Sequence, residues 1–262
     1  MSLRKALLAA TVLALPVAAQ AQPVTGLYVG AGAGVNWLSE SDLKPQTPAV
    51  NAATGAGKVS FNTGFVGVVS LGYGFGNGVR VEGEFSFRTN DVSGISGFPN
   101  INIPAPRTQN GDVQSYGFFA NVFYDFNLGP NAFVYPYIGA GAGYVIQNWN
   151  SVTFRGPAGA AGPNITVDGD NNQFAWQAIA GLAFPIAAVP GLSLTAEYRY
   201  MQTLSGNVDT LIRTSAQTPL ARGQVDVDNQ NQSLLLGIRY AFGVAPPPPP
   251  VAPAVAPAPA RT

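Results

Sequence analysis

Val79-Arg-Val-Glu-Gly-Glu-Phe-Ser-Phe-Arg88 alternates residue by residue. Arg80, Glu82, Glu84, Ser86 and Arg88 are polar or charged, while Val79, Val81, Gly83, Phe85 and Phe87 between them are apolar or small. A period of two describes a β-strand with one polar and one apolar face. A strand of a soluble sandwich has the same pattern, so repetition and composition must separate the two. About eight such segments recur along the 262 residues. Charged residues make up only 10%, against about 25% in ordinary soluble domains. That balance suits an exterior facing lipid, with the charges turned inward.

Composition excludes several function classes. Formal net charge is zero, so no basic field points to nucleic acid. There is no cysteine, hence no disulfide and no thiolate metal site. There is no histidine either, which removes Ser-His-Asp, Cys-His and His-metal chemistry together. No other catalytic set is present, so neither an enzyme nor a cofactor is expected.

Residues 1–21 have the form of a secretory signal peptide. Arg4 and Lys5 form the positive region, Ala6 to Val17 the apolar stretch, and Ala19-Gln20-Ala21 the small-residue cleavage site. The apolar stretch is shorter than the roughly 20 residues of a membrane-spanning helix. The expected barrel domain is then 22–243.

Eight strands are predicted within it: Gly26–Leu38, Ser60–Tyr73, Val79–Arg88, Val113–Phe126, Phe133–Gln147, Gln173–Phe184, Leu192–Met201 and Asn231–Phe242. Between them, Gly74-Phe-Gly-Asn-Gly78, Asn127 to Asn131 and Pro185 to Gly191 have the composition of tight turns. Asn36–Lys58, Asn90–Asp112, Asn148–Asn172 and Gln202–Asp228 are expected to be long polar loops. Long and short connections thus alternate, as in transmembrane barrels with short periplasmic turns and longer extracellular loops. A soluble sandwich or lipocalin-type barrel has no reason to sort loop length by end. The fold class is therefore all-β: an eight-stranded antiparallel up-and-down transmembrane β-barrel.

Outward aromatics sort to the two strand ends. Tyr73, Phe75, Tyr124, Phe126, Phe133, Phe184, Tyr240 and Phe242 fall on the turn side. Trp37, Phe61, Phe87, Tyr116, Tyr144, Phe174 and Trp176 fall on the long-loop side, which fits two girdles at the lipid interfaces. The uncharged run Ala178 to Ala196 has the length of a transmembrane helix, but Pro185, Pro190 and Gly191 interrupt it.

Two faint repeats link strands that lie opposite each other in such a barrel. Tyr28-Val-Gly-Ala-Gly-Ala-Gly is echoed by Tyr137-Ile-Gly-Ala-Gly-Ala-Gly, and Glu84-Phe-Ser-Phe by Glu197-Tyr-Arg-Tyr. Duplication of a four-strand half or similar local demands would each produce them.

The inward charges are Arg80, Glu82, Glu84, Arg88, Asp125, Glu197, Arg199 and Arg239. An arginine on the lipid face costs about 2–4 kcal/mol near the midplane, so the alternation must bury them in the lumen. An eight-stranded barrel is just wide enough for side chains to fill, and buried charges must pair. A network is expected in which Glu82, Glu84 and Glu197 accept from Arg80, Arg199 and Arg239. It would serve either as a structural plug or as a gate for small-ion leakage.

Two decoys carry no chemistry. The glycine runs at Gly30–Gly34 and Gly139–Gly143 lack the G-x-G-x-x-G spacing of a dinucleotide loop; inward glycines make room for arginines and Tyr137. Asp168-Gly-Asp170-Asn-Asn172 resembles a calcium loop, but Gln173 and Ile179 stand where the glycine and the closing glutamate belong. No metal is expected.

Tyr137-Ile-Gly-Ala-Gly-Ala-Gly-Tyr144, Ala196-Glu-Tyr-Arg-Tyr200 and Ser233-Leu-Leu-Leu-Gly-Ile-Arg-Tyr-Ala-Phe242 resemble strands of the OmpA-type small outer-membrane β-barrels. The likeness covers about Thr25 to Phe242. Arg239-Tyr-Ala-Phe242 resembles the closing strand of that family, which implies the barrel-assembly machinery as a partner during insertion and outer-membrane lipid as the surroundings. Residues 244–262 are nearly all proline, alanine and valine. As polyproline II they span roughly 50 Å, and an even strand number puts both termini on the periplasmic side. In larger family members such a linker leads to a peptidoglycan-binding domain; this sequence stops at Thr262, either as a fragment of such a protein or as one without that domain. The resemblance implies a structural protein of the Gram-negative outer membrane supporting envelope integrity. A narrow small-solute or ion pore, and a surface adhesin or receptor acting through the long loops, are the alternatives.

Overall fold

The computed structural model describes residues 24–97, 108–129, 132–155, 164–204, 206–213, 219–227 and 229–242. Within them the chain is almost entirely strand: β1 (Thr25–Leu38), β2 (Ser41–Pro45), β3 (Gly57–Phe61), β4 (Gly64–Phe75), β5 (Val79–Gly97), β6 (Thr108–Asp125), β7 (Tyr135–Arg155), β8 (Asn164–Pro185), β9 (Leu192–Thr203), β10 (Gly206–Arg213), β11 (Pro219–Val227) and β12 (Gln230–Ala241). One short helix, α1 (Pro48–Thr54), lies between β2 and β3.

Eight of these strands close a ring in which every neighbour is antiparallel. The order is β1-β4-β5-β6-β7-β8-β9-β12, and β12 pairs back onto β1 from Tyr28↔Ala241 to Leu38↔Asn231. Closure leaves no row of unpaired backbone groups, which hydrocarbon would not tolerate. The expected eight-stranded antiparallel barrel is therefore present.

Burial follows the alternation. On β5, Arg80, Glu84, Ser86 and Arg88 are buried while Val81, Gly83 and Phe85 are exposed. On β12, Asn231, Ser233 and Leu235 are buried, whereas Leu234, Leu236 and Ile238 are exposed, Leu236 by 74%. The exterior is thus continuously apolar from Leu27 around to Ile238, the surface that acyl chains cover. Aromatic pairs mark both rims: Tyr73–Phe75, Tyr124–Phe126 and Tyr240–Phe242 at the turn end, and Phe87–Tyr116, Tyr144–Phe174 and Trp176–Tyr200 at the other.

Two of the short connections meet the demands of their backbone. Gly76 and Gly78 in the β4–β5 turn have φ of 77° and 93°, left-handed values that glycine adopts at no steric cost. Asn77 Oδ1 accepts from the Val79 N–H at 3.0 Å, and Asn127 Oδ1 from that of Gly129 at 2.9 Å. The run Ala178 to Ala196 divides, as expected, into β8 and β9 around a turn.

The long connections differ from expectation. Much of each is strand, because β5, β6, β7 and β8 continue past the end of the membrane ring. Four short strands join them in a second closed ring, β2-β3-β5-β6-β7-β8-β10-β11, with β11 pairing back onto β2. Asp168 to Asn172, the calcium-loop lookalike, lies within this continuation of β8. The predicted second strand is also corrected: Asn62 and Thr63 interrupt it, and Phe61 belongs to β3. Beyond the lipid no apolar face is required, so these segments carry no period-two signature. The signal peptide (1–21) and the Pro/Ala-rich segment (244–262) lie outside the described residues.

Candidate functional site: the barrel lumen

The inward face gathers the chain's buried polar groups. At the turn end, Arg80 on β5 donates through Nε to Asp125 Oδ2 on β6 at 2.8 Å and through Nη1 to Tyr28 Oη on β1 at 2.9 Å. The Tyr28 hydroxyl donates in turn to Glu82 Oε2 at 2.9 Å. Glu82 stands 4.0 Å from Arg80 Nη1. The Arg80 guanidinium carbon also lies 4.5 Å from the centre of the Phe123 ring and 5.2 Å from those of Tyr28 and Tyr137, within the range of cation–π attraction.

The second group crosses the lumen. Arg199 on β9 donates through Nη1 to Glu84 Oε2 on β5 at 2.6 Å, and its Nη2 stands 2.6 Å from Glu197 Oε2. In the ring β5 and β9 are four strands apart, so the Arg199–Glu84 bond runs along a diameter. Asn121 Nδ2 donates to the same Glu84 oxygen at 3.0 Å, Gln177 Nε2 donates to Asn121 Oδ1 at 2.8 Å, and Tyr137 Oη donates to Glu197 Oε1 at 2.6 Å. This group ties β5, β6, β7, β8 and β9 together. The two acids of the sequence repeat, Glu84 and Glu197, share one arginine.

Nearer the long end the polar groups other than Arg88 are amides and hydroxyls. Asn36 Nδ2 donates to Asn90 Oδ1 at 2.6 Å and to Asn231 Oδ1 at 2.8 Å, and Ser233 Oγ donates to Asn36 Oδ1 at 2.7 Å. Asn229 Nδ2 reaches Gln147 Oε1 at 2.7 Å.

Inward glycines accommodate the large rings. A Cβ added at Gly72 would collide with the Tyr28 ring, one at Gly181 with Tyr137, and one at Gly139 with Phe123. The expectation that inward glycines make room holds for Tyr137, through Gly181 instead of a glycine of the two runs, but the nearest neighbours of the inward glycines include no arginine.

All eight predicted charges point into the lumen, but the pairing differs from expectation. Asp125, not a glutamate, takes the short contact with Arg80. Glu84 and Glu197 both take Arg199. Arg239, expected to pair with a glutamate, makes no ion pair among the described residues; its guanidinium lies 5.5 Å from the centre of the Tyr137 ring. Arg88 has no acidic partner there either and donates to Ser86 Oγ at 2.8 Å. Tyr28, Asn121 and Gln177 complete the network. Their inward positions were readable from the alternation, but their contacts were not. Among the described residues no group of histidine, cysteine, aspartate and glutamate side chains could hold a metal ion.

Comparison with known proteins agrees with this architecture. An outer membrane protein of Gluconacetobacter diazotrophicus is 39% identical over 211 residues, which cover 76% of this chain and 52% of that protein; the chain spans about half the length of that relative. The crystal structure of the outer membrane protein OprG from Pseudomonas aeruginosa shares the fold at 15% identity and a TM-score of 0.54, covering 86% of this chain and 99% of OprG. That of Neisserial surface protein A is similar at 19% identity and a TM-score of 0.44, over 84% of this chain and 99% of the other. A family model described as the outer membrane protein beta-barrel domain matches residues 6–242. The chain belongs to that family of outer-membrane β-barrel proteins.

Proposed function

We propose that this barrel is a structural, non-enzymatic component of the outer membrane, of the OmpA type, whose plugged lumen supports envelope integrity. The observation that carries this reading is the Arg199–Glu84 contact of 2.6 Å across the diameter, reinforced by Glu197, Asn121 and Gln177. Side chains bonded across the full width leave solute no clear path. The absence of histidine and cysteine supports a non-enzymatic role. The first and last strands of the ring meet at the short-turn end. In the usual orientation of such barrels both termini are then periplasmic, and the second ring faces outward. Outer-membrane lipid and the barrel-assembly machinery are the partners proposed. Peptidoglycan would be reached through a periplasmic domain of the kind that follows a Pro-Ala linker in larger OmpA-type proteins.

Planar-bilayer recording tests this reading. The wild type is expected to show no steady conductance, and Arg199→Met, which removes the crossing bond, to open one. Steady conductance by the wild type would replace the structural reading with the narrow pore. A wild type that stays silent while the purified protein binds host cells through its outward ring would favour the adhesin or receptor.

A further inference from the structure

The lumen's four arginines and four carboxylates do not pair one to one. Arg80 and Arg199 each stand within 4.0 Å of two carboxylates, which leaves none for Arg88 or Arg239. The two arginines left over differ in surroundings. Arg239 lies toward the turn end, 8% exposed and beside the Tyr137 ring. Arg88 lies toward the long end and is 1% exposed. Its Nη1 bonds to Ser86, but Nε and Nη2 are buried with no partner among the described residues.

Strand register gives Arg88 hydroxyl and amide neighbours and no acid. Strand register places Ser115 and Gln147 beside it on β6 and β7, and Gln173 on β8 opposite Val145, one inward step below Gln147. Gln147 Nε2 and Gln173 Nε2 are likewise buried and unpartnered. Gln173 Oε1 and Gln177 Oε1 are buried and unpartnered too, so no hydrogen bond fixes which end of the Gln173 amide faces the guanidinium. On the side of β4, Arg88 has Val66 as its register partner, and Val66 packs with Val68 and Leu235. The nearest inward acid on its own strand, Glu84, is engaged at both oxygens: Oε1 accepts from Gln177, and Oε2 from Arg199 and Asn121.

A guanidinium in such a place needs negative charge as well as hydrogen-bond acceptors. Water supplies only the second. We infer that the lumen at Arg88 binds a small inorganic anion of halide size, held by Arg88 Nε and Nη2 with the Gln147 and Gln173 amides as additional donors. A barrel of eight strands, filled by its own side chains, restricts the ligand to that size. The site stands whether or not the lumen conducts.

The test uses the refolded protein in detergent, with bromide as the probe and sodium gluconate holding ionic strength constant. Saturating bromide is expected to raise the temperature of heat-modified gel migration by about 5 °C in the wild type. Arg239→Gln should keep that rise and Arg88→Gln should lose it. Equal temperatures for the wild type in bromide and in gluconate, or the same rise in Arg88→Gln, would overturn the proposal. Should Arg88→Gln fail to fold, wild-type crystals grown in bromide decide. An anomalous peak within hydrogen-bond distance of the Arg88 guanidinium is expected there, and density without one refutes the site.

Discussion

Arg199→Met is the substitution that asks most of the lumen. Arg199 contacts Glu84 and Glu197 at 2.6 Å each, and the Glu84 side chain is wholly buried. At an effective dielectric of about 20, a unit pair at that separation is worth about 6 kcal/mol before desolvation is counted. Breaking a buried pair costs about 3–5 kcal/mol net, because the remaining charge stays behind uncompensated. Two carboxylates lose their partner at once here, and the two losses share one side chain, so they do not simply add. A net cost of about 5 kcal/mol follows. At about 2–4 °C per kcal/mol for a domain of this size, the unfolding temperature should fall by about 10–20 °C. Heat-modifiable gel migration and a circular dichroism melt on the same refolded sample read it. Adding Glu84→Gln removes one of the orphaned charges and should restore part of the loss. Arg239→Met, at a position without an ion pair among the described residues, should shift the temperature far less. A fall of less than about 3 °C in Arg199→Met would refute the idea that this arginine compensates the two buried acids.

Three other outcomes are expected. Gly181→Ala should lower the unfolding temperature by an amount equivalent to about 1–3 kcal/mol, because its Cβ meets the Tyr137 ring, whereas the outward-facing Gly83→Ala, with nothing nearer than 3.9 Å, should leave it unchanged; a circular dichroism melt compares them. Leu236→Arg places a charge on the exposed middle of β12 and should cost about 2–4 kcal/mol in lipid, measured by urea titration of folding into vesicles against Leu236→Ala. Deleting residues 206–227 removes β10 and β11 but none of the eight membrane-ring strands, so the shortened protein should still migrate as a folded barrel when unheated.

The membrane ring was legible because lipid imposes a strict rule. Along β5 each outward position must be apolar or small, so Arg80, Glu82, Glu84 and Arg88 announce their side of the wall without any structure. The second ring was hidden for the same reason. Past the end of the membrane ring no side of the wall has to be apolar, and the alternation that would signal a strand is no longer required. Lumen partners were only half readable. Alternation tells which face a side chain occupies, but tilt and stagger decide at what height it meets the opposite wall. Arg199 therefore reaches Glu84 across the diameter, while Arg239 settles beside Tyr137 instead of a glutamate.

Which face of β5 meets lipid can be measured directly. The chain has no cysteine, so single cysteines at each position from Val79 to Arg88 can be spin-labelled in turn. After reconstitution in bilayers, collision rates with dissolved oxygen, which concentrates in hydrocarbon, report lipid exposure. High rates at 81, 83, 85 and 87 and low rates at 80, 82, 84, 86 and 88 are expected. Rates that fail to alternate, or that peak at the charged positions, would contradict a lipid-facing barrel with its charges inside.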